Sequence, residues 1–177
     1  SHAGILDLAR TVLTKLFAHF PGAASKLPPD EGLYKGPRPG LLLVCEEKLV
    51  ETLGMNEGLV ILTHEHITER LQQLCGAQRI VLGIREAKGL EFPDVAVVDF
   101  FSSMTREDQL RWREMMSMDE DELQESGQRK GVDLRYTFPE LETQLKLLYT
   151  AITRSERSLY LIETKRSVAG AAFFAHV

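Results

Sequence analysis

Glu86-Ala87-Lys88-Gly89-Leu90-Glu91-Phe92 lies between two apolar runs and carries residues that a simple hairpin does not need. Arg79 to Ile84 before it reads as a buried strand, and Asp94 to Asp99 after it reads as another. In an α/β domain, ligands bind beyond the carboxyl ends of parallel strands. A Gly flanked by Lys and Glu at such a place brings backbone and charge to one ligand. The plainer reading is a capped connection with a solvated charge cluster, and local pattern alone favours it.

Working outward, the 177 residues, 44% hydrophobic and 27% charged, suit one α/β domain with a sizeable core. No apolar run approaches the ~20 residues that a membrane-crossing helix needs. The N-terminus has neither a signal-peptide pattern nor an initiator Met, so the expectation is a piece of something longer. A net charge of −5 does not advertise nucleic-acid binding, yet a local basic groove can coexist with an acidic total. Cys45 sits in an apolar strand-like run and Cys75 near the end of a helical one, without zinc-site spacing. Buried free thiols in a reducing, intracellular compartment are expected.

In chain order, Ile5, Leu8, Ala9, Val12, Leu13, Leu16, Phe17 and Phe20 form a helical stripe that stops at Pro21-Gly22. Residues 21–40 hold too many Pro and Gly for an element and read as a long loop or a reduced insertion. Leu41 to Val44 makes a short buried strand, Glu46 to Leu53 a helix ending at Gly54, and Leu59 to Leu62 the next strand. Thr63-His64-Glu65-His66 leads into a helix with Ile67, Leu71 and Leu74 on one face and Gly76 as its stop. His64 and His66, at i and i+2, do not share a helix face and have no third ligand nearby, so a polar turn is favoured over a metal site.

Residues 100–136 read as a polar insertion, with a helix from Arg106 to about Met118 in which the facing of Trp112 is open. Its Met115-Met116-Ser117-Met118 run suits gap-filling better than a partner surface, and the acidic run after it reads as solvated. Thr137 and Glu140 have capping-box spacing and Pro139 suits a first turn, so a helix starts there. Leu141, Leu145, Leu148 and Ile152 give its buried stripe. Arg154 falls at its C-terminal turn, where a cation is worth a few tenths to about 1 kcal/mol against the helix dipole. Ser158 to Glu163 is the last strand, and Ser167 to Phe174 opens a final helix.

Ala87-Lys88-Gly89-Leu90-Glu91-Phe92, with Leu148-Tyr149-Thr150-Ala151-Ile152-Thr153-Arg154-Ser155 further on, resembles motifs V and VI of the UvrD/Rep-like superfamily 1 DNA helicases. Those motifs belong to the second RecA-like domain. Ser1 to Leu6 resembles the tail of the segment after their motif IV. The likeness spans most of the chain, with residues 21–40 and 100–136 outside it. It implies a RecA-like, three-layer fold with a largely parallel sheet over residues 1–177. It also implies that Glu91 looks toward a nucleotide ribose, that Gly89 lets the backbone come close, and that Arg154 is an arginine finger. Tyr149 and Thr153 would position the helix. Where the family often has Thr and His, this chain has Gly83 and Arg85, so Arg85 and Lys88 are the candidates left for a nucleic-acid phosphate.

No G-x-x-x-x-G-K-[ST] phosphate loop occurs, nor an acidic Mg²⁺ motif of the Walker B kind. The expected cofactor, ATP with Mg, is therefore held mainly by a first RecA-like domain outside these residues. The expected function is the second motor domain of an ATP-dependent helicase acting on single-stranded nucleic acid, DNA in preference to RNA. The alternative is a degenerate helicase-like module serving domain packing or protein interaction.

Overall fold

The computed structural model describes residues 1–20, 22–23, 36–118 and 139–177. Among them are five strands: β1 (Gly40–Leu43), β2 (Val60–Thr63), β3 (Val81–Gly83), β4 (Phe92–Val98) and β5 (Ser155–Glu163). The helices are α1 (Ala3–His19), α2 (Glu46–Gly54), α3 (Thr68–Cys75), α4 (Arg106–Ser117), α5 (Pro139–Thr153) and α6 (Val168–His176), with one 3₁₀ turn at Glu65–Ile67. The strands form one sheet in the order β1-β5-β4-β2-β3, and every pairing is parallel. The α/β class and the parallel sheet of a RecA-like fold are thus present.

Strand alternation splits the core in two. Val60, Leu62, Val95, Val97, Leu159 and Leu161 face one way, into a cluster shared with α1, α4, α5 and α6. Leu59, Ile61, Ala96, Val98 and Ile162 face the other, against Leu49 and Leu53 of α2 and Leu71 of α3. Central parallel strands are covered on both faces, which is why β4 and β2 read as continuous apolar runs.

Local signals set several helix ends. His2 caps α1, its Nδ1 accepting from the Gly4 amide at 3.1 Å. Thr105 accepts from the Asp108 amide at the start of α4, and Ser167 from the Gly170 amide at the start of α6. Gly76, at φ +85°, ends α3 with its amide bonded to the Gln72 carbonyl. The expected start at Thr137 lies outside the described residues, as does most of 21–40.

Four expectations need correction, the first being Leu41 to Val44, whose residues 41–43 lie in a half-buried edge strand with Leu43 50% exposed. Arg79 to Ile84 is not a buried strand: only Val81–Gly83 pairs, at the sheet's edge, and Ile80 is 54% exposed. An apolar run reads the same whether one or two neighbouring strands cover it. Ser155 to Arg157 join β5, which begins directly after α5. Cys45 is exposed, because it caps α2 at the end of edge strand β1, and Cys75 is half-buried. Both thiols are free.

The stretch 100–118 contributes more core than its charge suggests. Trp112, Phe100 and Phe101 are buried and meet edge-on, with Phe173 of α6 against Phe101 at 5.0 Å. Met115 and Met116 fill the same cluster. Trp112 faces inward, and its Nε1 donates to Gln144 Oε1 of α5 at 2.6 Å. Among the described residues, no helix is long and apolar enough to cross a membrane.

Candidate functional site

β3 and β4 run parallel, so the chain must return from the carboxyl end of one to the amino end of the other. Leu82 and Val97 both stand level with Leu62 of β2, and Phe92 lies five residues before Val97, or about 16 Å lower at ~3.3 Å per residue. Residues 84–91 make that descent. Ile84 and Ala87 are fully buried beneath it and anchor it to the core. The Ala87 amide bonds the Gly83 carbonyl at 3.1 Å, and the Leu90 amide the Ala87 carbonyl at 3.0 Å.

The sequence expectation placed the whole charged stretch beyond strand carboxyl ends, and the return path corrects this. Arg85 stays at the carboxyl end of β3. Gly89, Leu90 and Glu91 arrive at the amino ends of β4 and β5, beside the C-terminus of α5. Gly89 has φ +84°, a left-handed conformation that fits glycine, and a Cβ there would meet nothing within 4 Å. The residue is needed for the turn, and its outer face is open. Lys88, Leu90 and Glu91 are exposed.

Arg154 is the joint of this corner. Its carbonyl accepts from the Phe92 amide at 2.9 Å. Its guanidinium donates from Nε to the Thr150 carbonyl at 3.1 Å, from Nη1 to the Leu90 carbonyl at 2.9 Å, and from Nη2 to Thr153 Oγ1 at 3.3 Å. The helix-end role therefore exists, and the same side chain also grips the turn 64 residues away. Next to it, Arg157 Nε donates to Asp94 Oδ1 at 3.0 Å, and Nη2 meets the other oxygen. That pairing holds the Asp94 carboxyl down at about 2. No sequence signal marked the pair, since each residue reads as an ordinary strand-end charge.

Arg85 does not join this corner. Arg85 turns to Glu65, with Nη1 to Oε2 at 2.7 Å and its amide to Oε1 at 2.8 Å. Partial burial pushes the Glu65 carboxyl up, but the bonds from Arg85 prevail and hold it below its usual range. The missing side chain at Gly83 makes room for this pair: a Cβ there would lie 2.7 Å from Glu65 Cγ. His64 is buried, stacked 4.7 Å from Phe100, with Nε2 3.0 Å from the Phe100 carbonyl. Burial lowers its pKa. Among the described residues, no three His, Cys, Asp or Glu side chains converge as a metal site. Apart from the Asp94–Arg157 pair, the corner offers the Glu91 carboxylate and the Arg154 guanidinium, which suits phosphate oxygens and a sugar hydroxyl better than Mg²⁺.

The opposite, carboxyl-terminal edge holds a buried polar knot. Asp99, at φ +53°, accepts from Ser102 Oγ, the Thr164 amide and Thr164 Oγ1. Glu163 accepts from the Phe101 and Ser102 amides at 3.0 and 2.8 Å. A cavity of about 190 Å³ opens beside it, lined by Leu43, Glu163, Lys165, Arg166 and Phe174 among others.

No protein-family model matches the chain. It is 32% identical over 202 residues to human TPR and ankyrin repeat-containing protein 1, a match that covers 98% of this chain. The chain spans about 7% of the length of that relative. The fold is similar to the C-terminal domain of a possible DNA helicase from Lactobacillus plantarum WCFS1, with a TM-score of 0.51 and 18% identity over 92% of this chain and 85% of that one. The fold is therefore helicase-like.

Proposed function

We propose that the chain is the second RecA-like domain of an ATP-driven helicase or translocase of the UvrD/Rep-like superfamily 1 type. One observation carries this reading: Arg154 donates to the Leu90 carbonyl, so the two stretches that the resemblance pairs meet at one corner of the sheet. In this reading the ATP site is shared with a first RecA-like domain, which supplies the phosphate loop and the Mg²⁺ ligands. Bound MgATP supplies the phosphoryl group whose transfer drives movement.

Glu91 takes the ribose, and the open turn at Gly89 lets the nucleotide approach. Arg154 stands on the rigid end of α5 and reaches the γ-phosphate, where a planar cation stabilises charge that develops in transfer. It also senses whether the cleft is closed, because the phosphate arrives from the other domain. Lys88, exposed on the return path, and Arg85 track a single strand, DNA in preference to RNA. The exposed Arg85–Glu65 pair is worth roughly 0–1 kcal/mol, little enough for a phosphate to displace. Free thiols at Cys45 and Cys75 suit a reducing intracellular setting.

The human relative is named for repeats and not for a motor, which favours a second reading: a helicase-like module kept for domain packing or protein interaction. The two readings part on nucleic acid. In the full-length protein, reversing Arg85 and Lys88 to Glu should weaken single-strand binding and lower its salt-dependence slope by about 0.7 for each phosphate no longer neutralised. An unchanged slope, with affinity preserved, contradicts the motor reading at these two residues.

A further inference from the structure

We propose that Thr153 is a positioning residue for Arg154, and that the Leu90 carbonyl and the Thr153 hydroxyl together hold the guanidinium as a preset phosphate fork. This deepens the function proposed above and rests on it. A hydroxyl has one proton to donate and two lone pairs that accept. Thr153 Oγ1 lies 3.0 Å from the Tyr149 carbonyl and 3.1 Å from the Thr150 carbonyl, so its proton is committed to the helix. Its lone pairs are thereby turned outward, and Arg154 Nη2 donates to it at 3.3 Å.

Arg154 has five N–H donors. Nε, one hydrogen of Nη1 and one of Nη2 are engaged, by the Thr150 carbonyl, the Leu90 carbonyl and Thr153. Among the described residues, two donors remain without a partner, one on each terminal nitrogen. In a planar guanidinium the two terminal nitrogens together can clamp an oxyanion bidentately. The guanidinium is thus held on three sides without being used up, and the half-buried Arg154 loses less rotamer freedom when a phosphate arrives. The Leu90 bond also fixes the fork relative to Glu91, one residue further on.

The test uses Thr153→Val, which keeps the shape but removes the acceptor, and Thr153→Ser, which restores it. In the full-length protein, Thr153→Val should cut kcat about tenfold while KM for ATP stays within about twofold, and Thr153→Ser should recover most of the rate. In this chain alone, the Arg154 Nε–H signal in ¹⁵N-resolved NMR should shift and exchange faster with water in Thr153→Val, and stay near wild type in Thr153→Ser. Equal rates and unmoved signals in Thr153→Val overturn the positioning role. Arg154→Ala is the control. A rate loss there with none in Thr153→Val overturns this inference alone. No loss in Arg154→Ala overturns the function reading and this inference with it.

Discussion

Burial pushes the Glu163 carboxyl up to about 7, against the pull of the Phe101 and Ser102 amides that it accepts. A carboxyl whose folded pKa is raised stabilises most below its unfolded pKa, near 4.5, and that contribution is lost as pH rises through 7. His19 acts in the opposite sense. Burial, aided by Lys15, lowers it to about 4, so its contribution is complete above 6.5 and lost as pH falls. Between 6.5 and 7.5 the Glu163 effect should therefore dominate of the two, and melting temperature should fall with rising pH. Glu163→Gln should lower the melting temperature, since its amide faces an N–H, and flatten the slope. A slope unchanged by the substitution contradicts this ionisation. At Gly89 the issue is backbone: φ +84° disfavours any L side chain although space is open. Gly89→Ala should cost about 1–2 kcal/mol in urea unfolding, and a cost near zero would mean that the turn relaxes freely.

Among the elements, the joint between α4 and α5 gives the sharpest stability test. Trp112 is fully buried and its indole N–H meets Gln144, itself 8% exposed. Trp112→Phe keeps most of the ring but strands the Gln144 oxygen, and should cost about 1–3 kcal/mol. Trp112→Phe with Gln144→Leu should recover part of that loss, and a double variant no better than the single would assign the cost to volume alone. The same joint shows what the sequence could and could not say. The α1 and α5 stripes were legible because Ile5, Leu8, Val12 and Leu16, and Leu141, Leu145, Leu148 and Ile152, recur at a clean helical period. In α4 the inward Trp112, Met115 and Met116 are diluted by Arg106, Glu107, Asp108, Arg111, Arg113 and Glu114, so period alone left the tryptophan's direction open. β3 failed for another reason: its apolar residues cannot report how many strands flank them. Arg154 could be placed at a helix end, but its reach to the Leu90 carbonyl depends on residues 84–91 crossing from one end of the sheet to the other. No local pattern encodes that crossing. The pairing of Arg85 with Glu65 was hidden likewise, because it depends on β2 and β3 being neighbours.

At the scale of the whole molecule, a five-stranded parallel sheet covered on both faces holds two chemically different edges. The amino-terminal edge carries Glu91, Gly89, Arg154 and the Asp94–Arg157 pair, and the carboxyl-terminal edge carries Asp99, Glu163 and the Arg85–Glu65 pair. In a two-domain motor, the first of these edges would face the nucleotide. Residues 84–91 connect the two edges. The central claim is that Arg154 acts on phosphate and is not only a partner for a helix end. Arg154→Ala and Arg154→Lys in the full-length protein, with ATP turnover and melting temperature measured on the same samples, test it most directly. The account predicts a kcat loss on the order of 10³-fold for Ala, little rescue by Lys because a point charge cannot copy the planar fork, and a stability loss of about 1–3 kcal/mol as the bonds to the Thr150 and Leu90 carbonyls are removed. A loss of stability with turnover intact in Arg154→Ala would contradict it.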